Sequence, residues 1–120
     1  MKWATDPVVI LSWVASDPEW ASAIHLLTSP CLRRIGAMRS VDFEREEIDV
    51  PGLLEMAAGS VSSGERVMLL ATCDLFNGGG GADLRMLIHA LDDVNLRVVL
   101  EAIEFRCGWR RLGERNKLPW

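Results

Sequence analysis

Tyrosine is absent from this chain, and lysine nearly so, with only Lys2 and Lys117. Cysteine is limited to Cys31, Cys73 and Cys107, widely spaced and without a Cys-x-x-Cys pair. An odd, scattered count excludes a disulfide scaffold and points to reduced thiols in a cytoplasmic protein. Histidine is limited to His25 and His89, too far apart for a local zinc-binding spacing. No apolar run approaches the ~18 residues needed to cross a bilayer, so no membrane role is expected. Residues 8–15 have the look of a short export signal. Asp6 and Pro7 precede them and Lys2 is their sole positive charge, which argues against that reading. A Gly-x-Ser-x-Gly nucleophile turn is also missing. No motif points to a cofactor or a metal.

What is present resembles an ordinary globular chain. Of 120 residues, 49% are hydrophobic and 25% charged, which excludes disorder and collagen-like repeats. The length suits one helical domain spanning 1–120, with 109–120 a basic C-terminal tail docked on the body. A chain of this size buries roughly 65% of its unfolded surface, enough for one modest core. The net charge of −4 is unevenly spread: residues 1–104 carry −8, and the remainder +4. An acidic body favours basic partners and repels nucleic acid, while the tail pulls the other way.

Punctuation along the chain predicts an all-α fold of five to seven short helices. Asp6-Pro7, Asp17-Pro18 and Ser29-Pro30 each place a capping side chain before a proline suited to a first helical turn. Trp20, Ala23, Ile24 and Leu27 lie on one helical face. Segment 31–39 is interrupted by Gly36. Val8, Val9 and Ile10 are β-branched, so a strand pair from 8–14 and 35–43 is the alternative. Asp49 caps a short helix starting near Pro51, for which Gly59 is a natural stop.

Ser62-Ser63-Gly64-Glu65 has capping-box spacing ahead of Val67–Phe76, a segment apolar nearly all round. It should be the central helix, ending at Asn77-Gly78. Leu84, Leu87, Ile88 and Leu91 then repeat helical spacing, leaving His89 on the opposite, exposed side. Asp92 caps a last helix with the stripe Leu96, Val99, Leu100, Ile103 and Cys107, and with Arg97, Glu101 and Glu104 opposite. Asp92-Asp93 reads as that cap rather than as a catalytic carboxylate pair, and Cys73 and Cys107 read as core. Trp109 packs back on the last turn. The tryptophans Trp3, Trp13, Trp20, Trp109 and Trp120 lie near the two termini. One indole cluster between packed termini is expected, the alternative being an exposed binding face.

Four glycines, 78–81, invite a ligand-loop reading. Ala82-Asp83 follows where a phosphate loop requires Lys-Ser/Thr. A single copy with Arg85 in an apolar position fails the calcium-binding nonapeptide. An EF-hand starting at Asp74 would put Phe76 and Arg85 at ligand positions. A flexible helix–helix connection remains.

Three function classes follow. The first is a small acidic, non-catalytic interaction protein, of the inhibitor, immunity-protein, antitoxin or adaptor kind. It would bind a basic protein partner through the exposed connection carrying Asp42, Glu44, Glu46, Glu47 and Asp49, whose segment 42–49 sums to −4. The second is a nucleic-acid-associated regulator using Arg106, Trp109, Arg110, Arg111, Arg115 and Lys117, a basic set with an aromatic among it. The third is an enzyme with Cys31 as nucleophile, placed in a first helical turn near Arg33 and Arg34 and after His25. A mean hydropathy of +0.14 and the abundant tryptophan add a homodimer to the expected partners.

Overall fold

A computed structural model describes residues 12–111. Within them the chain forms seven α-helices and one two-stranded hairpin. The helices are α1 (Ser12–Ala15), α2 (Pro18–Leu27), α3 (Pro30–Arg34), α4 (Val50–Ala57), α5 (Ser63–Asn77), α6 (Leu84–Ala90) and α7 (Asp93–Arg106). A 3₁₀ turn at Ala37–Ser40 leads into β1 (Val41–Asp42), which pairs antiparallel with β2 (Glu47–Ile48).

Local chemistry explains the helix starts. Asp17 Oδ1 accepts from the Glu19 and Trp20 amides at 3.0 and 3.2 Å, ahead of Pro18 at the first position of α2. At α5, Ser62 Oγ accepts from the Glu65 amide while Glu65 Oε1 accepts from the Ser62 amide, a closed capping box. Asp49, Asp83 and Asp92 cap α4, α6 and α7. Ser29 differs from the expected cap: its hydroxyl donates back to Leu26 O at 2.6 Å, so α3 starts on Pro30 alone. Gly36, in the left-handed region, ends that short helix. Gly59 keeps a negative φ, so α4 stops without a left-handed glycine. The Asp6-Pro7 start lies outside the described residues.

The 8–14 with 35–43 strand pair does not form where the chain is described. Ser12–Ala15 is helical, and Val41-Asp42 pairs with Glu47-Ile48 instead. Closing a four-residue turn costs far less chain entropy than joining segments some thirty residues apart.

The core sits where α2 packs on α7 and α5, with α4 on the far side of α5. Ile24, Leu26, Leu27, Leu53, Met68, Leu69 and Val99 are fully or almost fully buried. The expected stripe on α7 is rotated. Val99, Ala102 and Phe105 face the core, whereas Leu100 is 55% exposed and Cys107 is exposed. Small residues in the same buried cluster, Ala23 on α2 and Ala102 on α7, favour close approach of helices. α6 corrects a second stripe: Leu84 is 74% exposed and Ile88 also faces solvent, with Leu91 alone of that set buried.

Trp13 and Trp20 meet edge to face at 4.8 Å, and Trp20 also contacts Phe43 and Phe76. Trp109 does not join them and does not pack back on α7; it is 78% exposed. Trp3 and Trp120 lie outside the described residues, as does the expected docking of 112–120.

Candidate functional site

The acidic segment is a built hairpin rather than a loose connection. Val41 and Ile48 point into the core. Phe43, in the turn, packs on Trp20 at 6.0 Å between ring centroids and ties the hairpin to α2. The Ser40 carbonyl accepts from the Asp49 amide at 2.8 Å, closing the hairpin's base.

Asp42 is not an exposed partner residue. It is only 5% exposed, and its Oδ1 accepts from the Glu44 and Arg45 amides at 3.1 Å each. Its carboxylate therefore shapes the turn. Asp49 is exposed but engaged as the α4 cap, accepting from the Gly52 amide at 3.0 Å. Glu44, Glu46 and Glu47 project outward, and no cation lies within ion-pair distance of them among the described residues. Glu46 has φ +54°, the one positive value at a non-glycine among the described residues. The left-handed region costs an ordinary side chain about 1–2 kcal/mol. Beside the hairpin, Ser40, Asp42, Glu47 and Asp49 line an open depression of about 320 Å³, with Arg45 its one lining cation.

The basic candidates are dispersed. Arg106 Nε donates to Leu75 O at 2.9 Å, and its Nη2 lies 3.4 Å from Glu19 Oε2. Arg110 Nη2 is 3.0 Å from Glu104 Oε1, and Nη1 is 3.7 Å from Glu101 Oε2. Trp109 and Arg111 are exposed; Arg115 and Lys117 lie outside the described residues.

Cys31 is buried, and burial raises its thiol pKa, with Glu65 adding to the rise and Arg34 opposing it. The environment disfavours the thiolate that a nucleophile requires. His25 serves elsewhere: its Nε2 lies 2.9 Å from Glu101 Oε1 across the α2–α7 seam. The Cys73 thiol, also buried, is pushed up to about 11. Among the described residues no group of three or more His, Cys, Asp or Glu side chains converges as a metal ligand set, and no helix is long and apolar enough to cross a membrane.

Two polar constellations were not anticipated. The first is His25–Glu101 with Arg110 and Glu104, joining residues 76 positions apart, which no local spacing announces. The second is the glycine loop. It is not a slack connection: Asp74 accepts from the amides of Gly80, Gly81 and Ala82 at 2.8, 2.9 and 2.6 Å. The chain's own carboxylate thus fills the cradle that such a loop would offer an anion. A Cβ on Gly80 would fall 1.9 Å from Leu70 O, which is why glycine stands there. The available signal was an acidic residue shortly before four glycines.

No family model matches the chain, and neither a curated protein nor a solved structure matches it.

Proposed function

We propose that this chain is a small acidic, non-catalytic protein that binds a basic protein partner through the 41–48 hairpin, in the manner of an inhibitor, immunity protein, antitoxin or adaptor. One observation carries the reading: Glu44, Glu46 and Glu47 stand on the hairpin with no cation of the described residues in ion-pair distance, Arg45 among them lying 3.9 Å from Asp42. Like charges held together raise the local potential, accelerate encounter with a basic surface and disfavour acidic competitors. Cytoplasmic residence belongs to the same proposal and rests on three free thiols. Nucleic acid is the weaker reading, because Arg106 and Arg110 already contact carboxylates of the chain. Burial of Cys31 weighs against the enzyme.

Immobilised chain, and the same chain with Glu44→Lys, Glu46→Lys and Glu47→Lys, would be exposed to nuclease-treated and untreated halves of a lysate of the source cell. A stoichiometric basic protein retained by the first and lost by the second is the expected result. Identical capture by both, or capture that vanishes with nuclease, overturns the reading.

A homodimer is favoured separately by the exposure of Leu84 and Ile88 on α6. Light scattering at tens of micromolar should then give a dimer mass that Ile88→Ser reduces. A monomer mass for the unmodified chain removes this second reading.

A further inference from the structure

Ser40 is the exception among the buried hydroxyls of the described residues. Ser22, Ser29 and Thr72 each donate to a backbone carbonyl three or four residues back, at 2.9, 2.6 and 2.8 Å. Ser40 is 9% exposed, and its hydroxyl has no hydrogen-bond partner among the described residues. A hydroxyl so placed is uncommon and calls for a reason. Its oxygen is not sealed from solvent, and Ser40 lines the open depression of about 320 Å³ beside the hairpin. Asp42 lines the same depression. Its Oδ1 is taken by the Glu44 and Arg45 amides, while Oδ2 lies 3.9 Å from Arg45 Nε, beyond hydrogen-bond length. Two nearly buried side chains thus bring spare acceptors to one place. Glu47 and Asp49, both exposed, add carboxylates, and Ile48 and Pro51 add apolar wall.

We propose that this depression is a guanidinium pocket, taking one arginine side chain of the basic partner, with Ser40 Oγ and Asp42 Oδ2 accepting from its N–H groups. The proposal rests on the partner reading above and narrows it to one side chain. Size fits: about 320 Å³ lies at the small end of ligand sites and suits a single side chain. Charge fits as well, since three carboxylates and one guanidinium line the depression, an excess of two negative charges. The spread of the acceptors selects the cation. Among the described residues no three acidic side chains converge as a metal ligand set. A planar guanidinium carries five donors in a wide fork and reaches separated acceptors, whereas an ammonium is a compact point charge. The methylene stem of an arginine gains from apolar wall, which Ile48 and Pro51 provide. Arg45 is exposed and only loosely placed on Asp42, so it competes weakly for the same carboxylate.

Titration of the full chain with N-acetyl-arginine methylamide, followed by the backbone amide resonances, reads the pocket without the partner. The expected result is saturable shifts centred on Ser40, Asp42, Glu47 and Asp49, with weaker and non-saturating shifts from N-acetyl-lysine methylamide at equal concentration. Ser40→Ala should weaken arginine binding by about two- to tenfold, the range of one hydrogen bond. It should leave urea unfolding nearly unchanged, because the hydroxyl has no partner in the described chain to lose. Glu47→Gln should weaken binding by about two- to fivefold, as for a solvent-exposed ion pair, and Arg45→Ala should strengthen it. Four results overturn the proposal: no saturable shift, equal response to the lysine probe, unchanged affinity in Ser40→Ala, or weaker binding in Arg45→Ala. Such a failure strikes the pocket alone, since capture of a basic protein from lysate decides the partner reading separately.

Discussion

Glu44, Glu46 and Glu47 on the hairpin carry the same chemical group as Asp74, Glu101 and Glu104 in the helical body, in opposite surroundings. Asp74 organises three loop amides, and Glu101 and Glu104 meet His25 and Arg110. The hairpin glutamates have no such partners among the described residues, and one of them occupies a strained backbone position. A carboxylate that organises the chain's own donors contributes to stability. One that faces water contributes almost nothing to it and is available for recognition.

That contrast can be broken by mutation, the largest effect being at Asp74. Asp74→Ala leaves three loop amides without their acceptor and should cost about 2–3 kcal/mol in urea unfolding, the range for partly buried hydrogen bonds to a charged group. A loss below about 0.5 kcal/mol would mean that the loop holds itself. Gly80→Ala should approach the same loss, about 1–3 kcal/mol, because its Cβ would overlap Leu70 O.

The His25–Glu101 contact should appear as a pH dependence of stability. Burial lowers the folded-state pKa of His25 below the 6.5 of a free imidazole, against the opposing pull of Glu101. The folded chain then binds the proton less readily than the unfolded chain. The stability associated with neutral His25 is complete above about 6.5 and declines as pH falls from there towards the folded-state pKa. His25→Gln should flatten this slope in chemical denaturation at a series of pH values; an unchanged slope would place its origin elsewhere.

Smaller effects are expected on the hairpin. Glu46→Gly removes a left-handed strain of about 1–2 kcal/mol and adds about 0.5–1 kcal/mol of unfolded-chain entropy. The net should be a gain near 0.5 kcal/mol, and a loss would show that the Glu46 side chain is held by contacts. Glu44→Lys, Glu46→Lys and Glu47→Lys together should leave stability within about 0.5 kcal/mol, as for surface changes generally. A larger loss would move these residues to the structural side of the comparison.

Much of the architecture was legible locally. Ser62 and Glu65, Asp17 before Pro18, and Asp49 and Asp92 mark helix starts, because a side-chain oxygen two or three residues from an unpaired amide satisfies it without help from the rest of the fold; Asp83, the cap of α6, was not read as one. An all-round apolar run located α5, and helical periodicity likewise located α2, α6 and α7. It did not say which apolar residues are covered: on α7 the helix turned Val99, Ala102 and Phe105 inward and left Leu100 outside. The candidate site was legible as a concentration of acidic charge, but not as a hairpin with Asp42 turned inward.

The capped starts of α2, α4, α5 and α7 and the sign of the charge on each segment were thus determined by the sequence alone, since capping acts over a few residues. The burial of Asp42 and Cys31, the exposure of Leu84 and Trp109, and the meeting of His25 with Glu101 were decided by the tertiary structure. Each of these depends on which distant helix lies opposite, and that choice belongs to the packing of the whole chain.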